Sequence, residues 1–87
     1  MSTEARATAV RPTIVSRFEE VAREQRKSLA PLDDDLILLD SGLDSLCLAI
    51  VVARLEDSLG VDPFTADDAD FPVTFGDFVR IYEDAAR

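Results

Sequence analysis

Apolar side chains recur at helical spacing in separate segments of the chain, and no segment shows the two-residue alternation of a half-buried strand. The first such segment places Pro12 where a first helical turn tolerates proline, and Pro31 follows its end. This pattern predicts a helix over about residues 12–28. Its inner positions are Ile14, Phe18, Val21, Ala22, Gln25 and Leu29.

The second segment predicts a helix over residues 45–59, with Gly60 at the left-handed position that follows many helix ends. At about 100° per residue, its apolar residues fall into two stripes on opposite sides. One stripe suits a core and consists of Leu48, Val51, Val52, Leu55 and Leu59. The other consists of Leu46, Ala49, Ile50 and Ala53. Either this helix lies at the centre of a bundle and is covered all round, or the second stripe is an exposed docking face. We favour the docking face, because complete coverage of one helix is hard to arrange with only three or four helices in the chain.

The remaining segments complete a small bundle. Residues 30–43 form a long connection with an acidic run followed by an apolar run, whose leucines we expect to pack across the bundle, and Gly42 supplies backbone freedom before the next helix. A short helix is predicted to start at Thr65, and Thr74 with Asp77 opens a final helix. Its inner stripe is Phe75, Phe78, Val79, Tyr82 and Ala86. The predicted fold class is all-α, a small three- to four-helix bundle, with residues 1–10 as a flexible N-terminal tail and residues 11–87 as one domain.

Composition narrows the possible partners. The chain has 87 residues and a formal net charge of −9, and its basic residues are concentrated in the first third. An acidic surface repels nucleic acids and favours partners with basic surfaces, although acidity also serves solubility alone. No apolar run is long enough to cross a membrane, and the N-terminus does not resemble a secretory signal. The single cysteine, Cys47, cannot form an internal disulfide, so we expect a reducing, cytoplasmic setting. We also expect a monomer.

Enzymatic chemistry finds little support in the sequence. The chain has no histidine, which excludes Ser-His and Cys-His catalytic pairs, and its three scattered glycines cannot form a phosphate-binding loop. The acidic runs lack the glycine and terminal glutamate of a calcium loop, so a solvated loop is the simpler interpretation. Cys47 is expected to be a small apolar filler. We therefore expect a protein that is not an enzyme.

A specific motif precedes the second predicted helix, where Gly42, Leu43, Asp44, Ser45 and Leu46 follow one another. This Gly-x-Asp-Ser-Leu pattern resembles the modification site of acyl and peptidyl carrier proteins. Residues 52–61 are similar to the exit of that family's second helix, and residues 74–78 to the start of its last helix. The resemblance extends over residues 12–86, nearly the whole chain, and it implies an acyl-carrier-protein-like bundle.

The resemblance implies a carrier function. Ser45 would be the attachment residue for 4′-phosphopantetheine, which a phosphopantetheinyl transferase donates from coenzyme A. An adenylating ligase or acyltransferase would load the arm's thiol, and downstream acyl- or aminoacyl-transfer enzymes would use the thioester. Asp44 would serve in recognition. The surface that meets partners would comprise Leu46, Ala49, Ile50, Ala53 and Glu56.

Departures from the family pattern bear on the cargo. Ile50 and Ala53, followed by Arg54, make the partner face more apolar and less negative than in carriers of fatty acid synthesis. This is closer to peptidyl carriers or to stand-alone carriers of specialised or secondary metabolism, including carriers of amino acids. The alternatives from the residues alone are that Ser45 is only a helix N-cap, and that the chain is a cofactor-free acidic helical interaction module. Only the motif from Gly42 to Leu46 distinguishes a carrier from such a module.

Overall fold

The computed structural model describes residues 10–61, 63–64 and 71–85. These residues form three α-helices and no strand: α1 (Val10–Glu24), α2 (Ser45–Leu59) and α3 (Phe75–Ala85). A 3-10 turn, Leu38–Asp40, lies in the connection between α1 and α2. The prediction of a small all-α bundle is confirmed. In the described part of the chain, the helices are too short or too polar to cross a membrane. The helix predicted from Thr65, residues 1–9 of the predicted tail and Ala86 lie outside the described residues.

Helix α1 differs from its predicted bounds at both ends. It begins at Val10, which was assigned to the tail but is fully buried, so the core extends further toward the N-terminus than the pattern indicated. It ends at Glu24 because the next residues turn back on the helix: the Arg26 amide donates to the Arg23 carbonyl (3.2 Å) and the Lys27 amide to the Ala22 carbonyl (2.8 Å). This is the Schellman arrangement, with Arg26 left-handed at φ 57°. Pro31 is therefore not what stops the helix.

The core is built from the inner faces of the three helices. Phe18 of α1 meets Phe75 and Phe78 of α3 edge to face, with ring centroids 5.4 and 5.5 Å apart. The predicted stripe of α3 is confirmed for its described members, which are all buried. In α2 the core stripe is narrower than predicted, because Val52 and Leu59 are only half-buried. The buried residues of α2 are Cys47, Leu48, Val51 and Leu55.

The connection between α1 and α2 packs with every second residue inward. Leu36 and Leu38 lie against the core, whereas Ile37 and Leu39 are exposed, so the expectation that all the leucines pack across the bundle is wrong in part. The reason is that the chain is extended at Ile37, where it bridges to Thr74 before α3, and that Leu39 lies in the 3-10 turn that follows. The Leu38 amide donates to the Val73 carbonyl (2.9 Å), and the Phe75 amide donates to the Leu36 carbonyl (2.8 Å). An extended chain directs successive side chains to opposite sides.

Candidate functional site

The start of α2 presents Ser45 to solvent. The N-cap of α2 is Asp44, whose side-chain Oδ1 accepts a hydrogen bond from the Cys47 amide at 2.9 Å. Ser45 is the first helical residue, so the interpretation of Ser45 as the N-cap is wrong: the preceding carboxylate does the capping. Ser45 is exposed, and no described residue forms a hydrogen bond with its hydroxyl. The hydroxyl is therefore available to a second molecule.

The loop before α2 is held in place by buried polar contacts. The Ser41 hydroxyl is buried, donates to the Leu38 carbonyl and accepts from the Leu43 amide at 3.3 Å. Gly42 adopts φ 103°, where a residue with a Cβ is strained, and a Cβ at this position would collide with the Ser28 carbonyl oxygen. The predicted need for glycine at this turn is confirmed, and the close approach to Ser28 adds a second reason for it.

The charges at the start of α2 favour a negative Asp44 and an inert Cys47. The hydrogen bond from the Cys47 amide lowers the pKa of Asp44, and the Lys27 ammonium adds a smaller effect in the same direction. Burial raises the pKa of the Cys47 thiol, and the nearby Asp44 carboxylate raises it further. A protonated, buried thiol is a poor nucleophile. Cys47 packs in the core, as predicted for a small apolar filler.

An apolar groove opens beside Ser45. The groove has a volume of about 560 Å³. It is lined by Ser45, Leu48 and Ala49 of α2 and, outside α2, by residues that include Leu39, Phe71 and Val73. Leu39 is 67% exposed and Val73 is 63% exposed. Isolated exposed apolar side chains are ordinary, but several of them around one groove indicate a binding surface.

Sequence analysis did not assign Leu39, Phe71 and Val73 to the site. Their segments are far apart in the chain, and they meet because Ile37 and Thr74 form an isolated antiparallel bridge. The available signal was the short apolar run around each of them. Such a run does not reveal which distant segment it pairs with, so the groove follows only from the tertiary structure.

The second apolar stripe of α2 lies on the surface. Leu46, Ala49, Ala53 and Glu56 are exposed, and Leu46 keeps 67% of its surface accessible. Ile50 differs from them, because it is half-buried and packs against the core. The described residues therefore cover α2 on one side only, and the alternative of a helix enclosed all round does not hold for them.

Arg54 does not belong to this exposed stripe. Its guanidinium makes two hydrogen bonds to the Glu24 carboxylate, at 2.6 and 2.8 Å, and lies 3.6 Å from Glu20. Those hydrogen bonds lower the pKa of Glu24. The expectation that Arg54 makes the partner face less negative is therefore wrong, because two carboxylates of α1 neutralise its charge. The exposed stripe is apolar and ends at the acidic Glu56.

Comparison of the chain with models of protein families, with curated proteins and with solved structures finds no match. Within the described residues, no group of three or more His, Cys, Asp and Glu side chains is placed to hold a metal ion. The function is therefore inferred from the chain's own residues: the exposed Ser45 hydroxyl, its capping neighbour Asp44, the apolar groove and the exposed stripe of α2.

Proposed function

We propose that the chain is a stand-alone carrier protein of the acyl and peptidyl carrier family, with a 4′-phosphopantetheine arm attached to Ser45. In the modification, the Ser45 oxygen forms a bond to the phosphorus of coenzyme A's pantetheine phosphate. Adenosine bisphosphate leaves, and the hydroxyl proton passes to a base of the phosphopantetheinyl transferase. The arm's thiol then holds acyl, aminoacyl or peptidyl groups as thioesters.

The observation that carries this proposal is the Ser45 hydroxyl at the first position of α2. It is exposed, it is not used for capping, and it stands in the Gly-x-Asp-Ser-Leu motif. The N-terminal end of a helix carries a partial positive charge, which suits the phosphodiester anion that the modification would create. A hydroxyl in this position is accessible to a separate enzyme.

The surroundings of Ser45 support a carrier role in two further ways. The apolar groove gives apolar parts of the arm or its cargo a surface to lie against, away from water. The exposed stripe of α2 begins next to Ser45, so a partner that docks on Leu46 and Ala49 has the arm within reach. The partners proposed for this face are the transferase, an adenylating ligase or acyltransferase, and the enzymes that receive the cargo.

The proposal is tested by incubating the purified chain with coenzyme A and a phosphopantetheinyl transferase of broad specificity. We expect the intact mass to increase by one phosphopantetheine. Ser45→Ala should gain nothing, whereas Ser28→Ala, a matched change at another exposed serine, should gain the same mass as the wild type. An unmodified wild type, or equal modification of Ser45→Ala, would show that the proposal is wrong.

A second candidate is the cofactor-free acidic interaction module, which the exposed apolar stripe of α2 also supports. Such a module needs the stripe but not the Ser45 hydroxyl. It would gain no mass in the transferase assay, and Ser45→Ala would bind its partner as tightly as the wild type does. A carrier differs on both points.

A further inference from the structure

The turn after α1 places a lysine beside the proposed attachment site. Lys27 follows the left-handed Arg26, and its amide is bonded to the Ala22 carbonyl at 2.8 Å. A left-handed backbone is unfavourable at a residue other than glycine, and here the two Schellman hydrogen bonds hold it in place. It directs the Lys27 side chain toward the start of α2.

The Lys27 ammonium lies next to Asp44 without being fixed to it. Its Nζ is 3.8 Å from Asp44 Oδ2, which is too long for a hydrogen bond, while Oδ1 of the same carboxylate is occupied by the Cys47 amide. The Lys27 side chain is 40% exposed, and lysine has a long, flexible stem. The ammonium can therefore move by a few ångströms while its backbone stays in place.

The other cations that form ion pairs in the described part of the chain are engaged away from Ser45. The pairs are Arg11 with Asp34, Arg17 with Glu20, Arg54 with Glu24, and Arg80 with Asp77. Lys27 alone among the paired cations of the described residues contacts the residue next to Ser45. A phosphodiester on Ser45 would add a second negative charge immediately beside Asp44, and a cation between the two anions would relieve their repulsion.

We propose that Lys27 is a positioning residue for the arm: its ammonium pairs with the phosphodiester on Ser45 while staying close to Asp44. This inference rests on the proposed function. The ion pair would hold the first atoms of the arm near the turn after α1 and so restrict the directions in which the arm can leave Ser45. The ion pair needs no residue of the transferase, so it would persist in the modified protein after the transferase has left.

The test is ³¹P NMR of the modified protein as wild type, Lys27→Met, Lys27→Arg and Arg23→Met. Arg23 is the matched control, because it is an exposed cation one turn earlier on α1. We expect Lys27→Met to displace the phosphodiester resonance, and Lys27→Arg and Arg23→Met to leave it near the wild-type position. Raising the salt from about 0.05 to about 1 M should move the wild-type resonance toward that of Lys27→Met, because the ion pair is screened.

Three outcomes overturn the inference, and they are distinguishable. If the chain is modified but wild type and Lys27→Met share one resonance position and one response to salt, Lys27 does not contact the phosphodiester, and the carrier assignment stands. If Arg23→Met displaces the resonance as much as Lys27→Met does, the effect is general charge and not a local pair. If the intact mass shows no modification in any variant, the proposed function fails first and the inference fails with it.

Discussion

Asp44 caps α2 with its carboxylate, which leaves the neighbouring Ser45 hydroxyl unengaged by the described residues. In many helices the residue before the first turn is a serine whose hydroxyl is consumed by capping. Here Asp44 caps the helix, and the adjacent Ser45 keeps its hydroxyl exposed. Asp44 therefore has a role in stability that is separable from any role in recognition, and the two can be measured independently.

We predict that Asp44→Ala destabilises the fold, whereas Asp44→Asn retains most of the stability, because the asparagine oxygen can still accept from the Cys47 amide. The measurement is the midpoint of urea unfolding at neutral pH. If both variants unfold at the same urea concentration as the wild type, the capping bond does not contribute.

The Asp44 cap also predicts a pH dependence. The Cys47 hydrogen bond lowers the folded-state pKa of Asp44 below its ordinary value of 3.8, so ionised Asp44 favours the folded state. This contribution is complete above the unfolded-state pKa and is lost as the pH falls through the lower, folded-state pKa. The difference in urea midpoint between wild type and Asp44→Ala should therefore shrink on acidification toward that value. A difference that grows instead would contradict the assigned sign.

A second comparison concerns the replacement of Gly42 and of Gly60 by alanine. We predict that Gly42→Ala lowers the free energy of unfolding by at least about 2 kcal/mol, because a Cβ there is both strained at φ 103° and in collision with the Ser28 carbonyl. Gly60→Ala is the matched control: Gly60 has φ 71°, but no atom lies within 4 Å of the added Cβ. It should cost only about 1 kcal/mol. Equal losses for both variants would mean that the contact with Ser28 is not tight.

Helix α2 contributes to the core on one side and carries the exposed stripe on the other. The sequence pattern places Ile50 in the second stripe, but it packs partly against the core, so a charge there would also disturb the fold. Leu46 is the better probe, because it is 67% exposed and adjacent to Ser45.

We predict that Leu46→Glu leaves the free energy of unfolding within about 0.5 kcal/mol of the wild type. It should lower kcat/KM for loading of the modified protein by a partner enzyme on the order of tenfold, because a charge replaces an apolar contact. Leu39→Glu is the matched control, since Leu39 is equally exposed but lies across the groove. If partners dock through α2, kcat/KM falls more for Leu46→Glu than for Leu39→Glu. Equal losses of kcat/KM would contradict docking through α2.

For the molecule as a whole, the net charge of −9 governs how partners approach. Exposed charges attract a basic partner over distances that salt shortens. We predict that kcat/KM for modification by a transferase with a basic surface falls on the order of tenfold between about 0.05 and about 0.5 M salt. A rate that does not depend on salt would mean that the acidity serves only solubility.

The pattern of apolar residues predicted a helix from about Ser45 to Leu59, as observed, because a strong helical period ended at Gly60, which is left-handed at φ 71°. It predicted the exposed stripe for the same reason. It did not identify Asp44 as the N-cap. It misplaced the end of α1, since a left-handed Arg26 has no signature like that of glycine. It also missed the groove, which depends on pairing between segments more than thirty residues apart, where Leu38 bonds to Val73. Periodicity reports which side of an element is buried, but not which distant segment covers it.

In the proposed carrier, Ser45 and no other residue receives the arm. The most direct measurement is fragmentation mass spectrometry of the modified chain on the peptide that holds both Ser41 and Ser45. Ser41 is an internal reference, because its hydroxyl is buried and bonded to Leu38 and Leu43. We predict that every fragment with the added phosphopantetheine contains Ser45, and that fragments with Ser41 alone are unmodified. A phosphopantetheine on Ser41, or on any residue outside this peptide, would contradict the assignment.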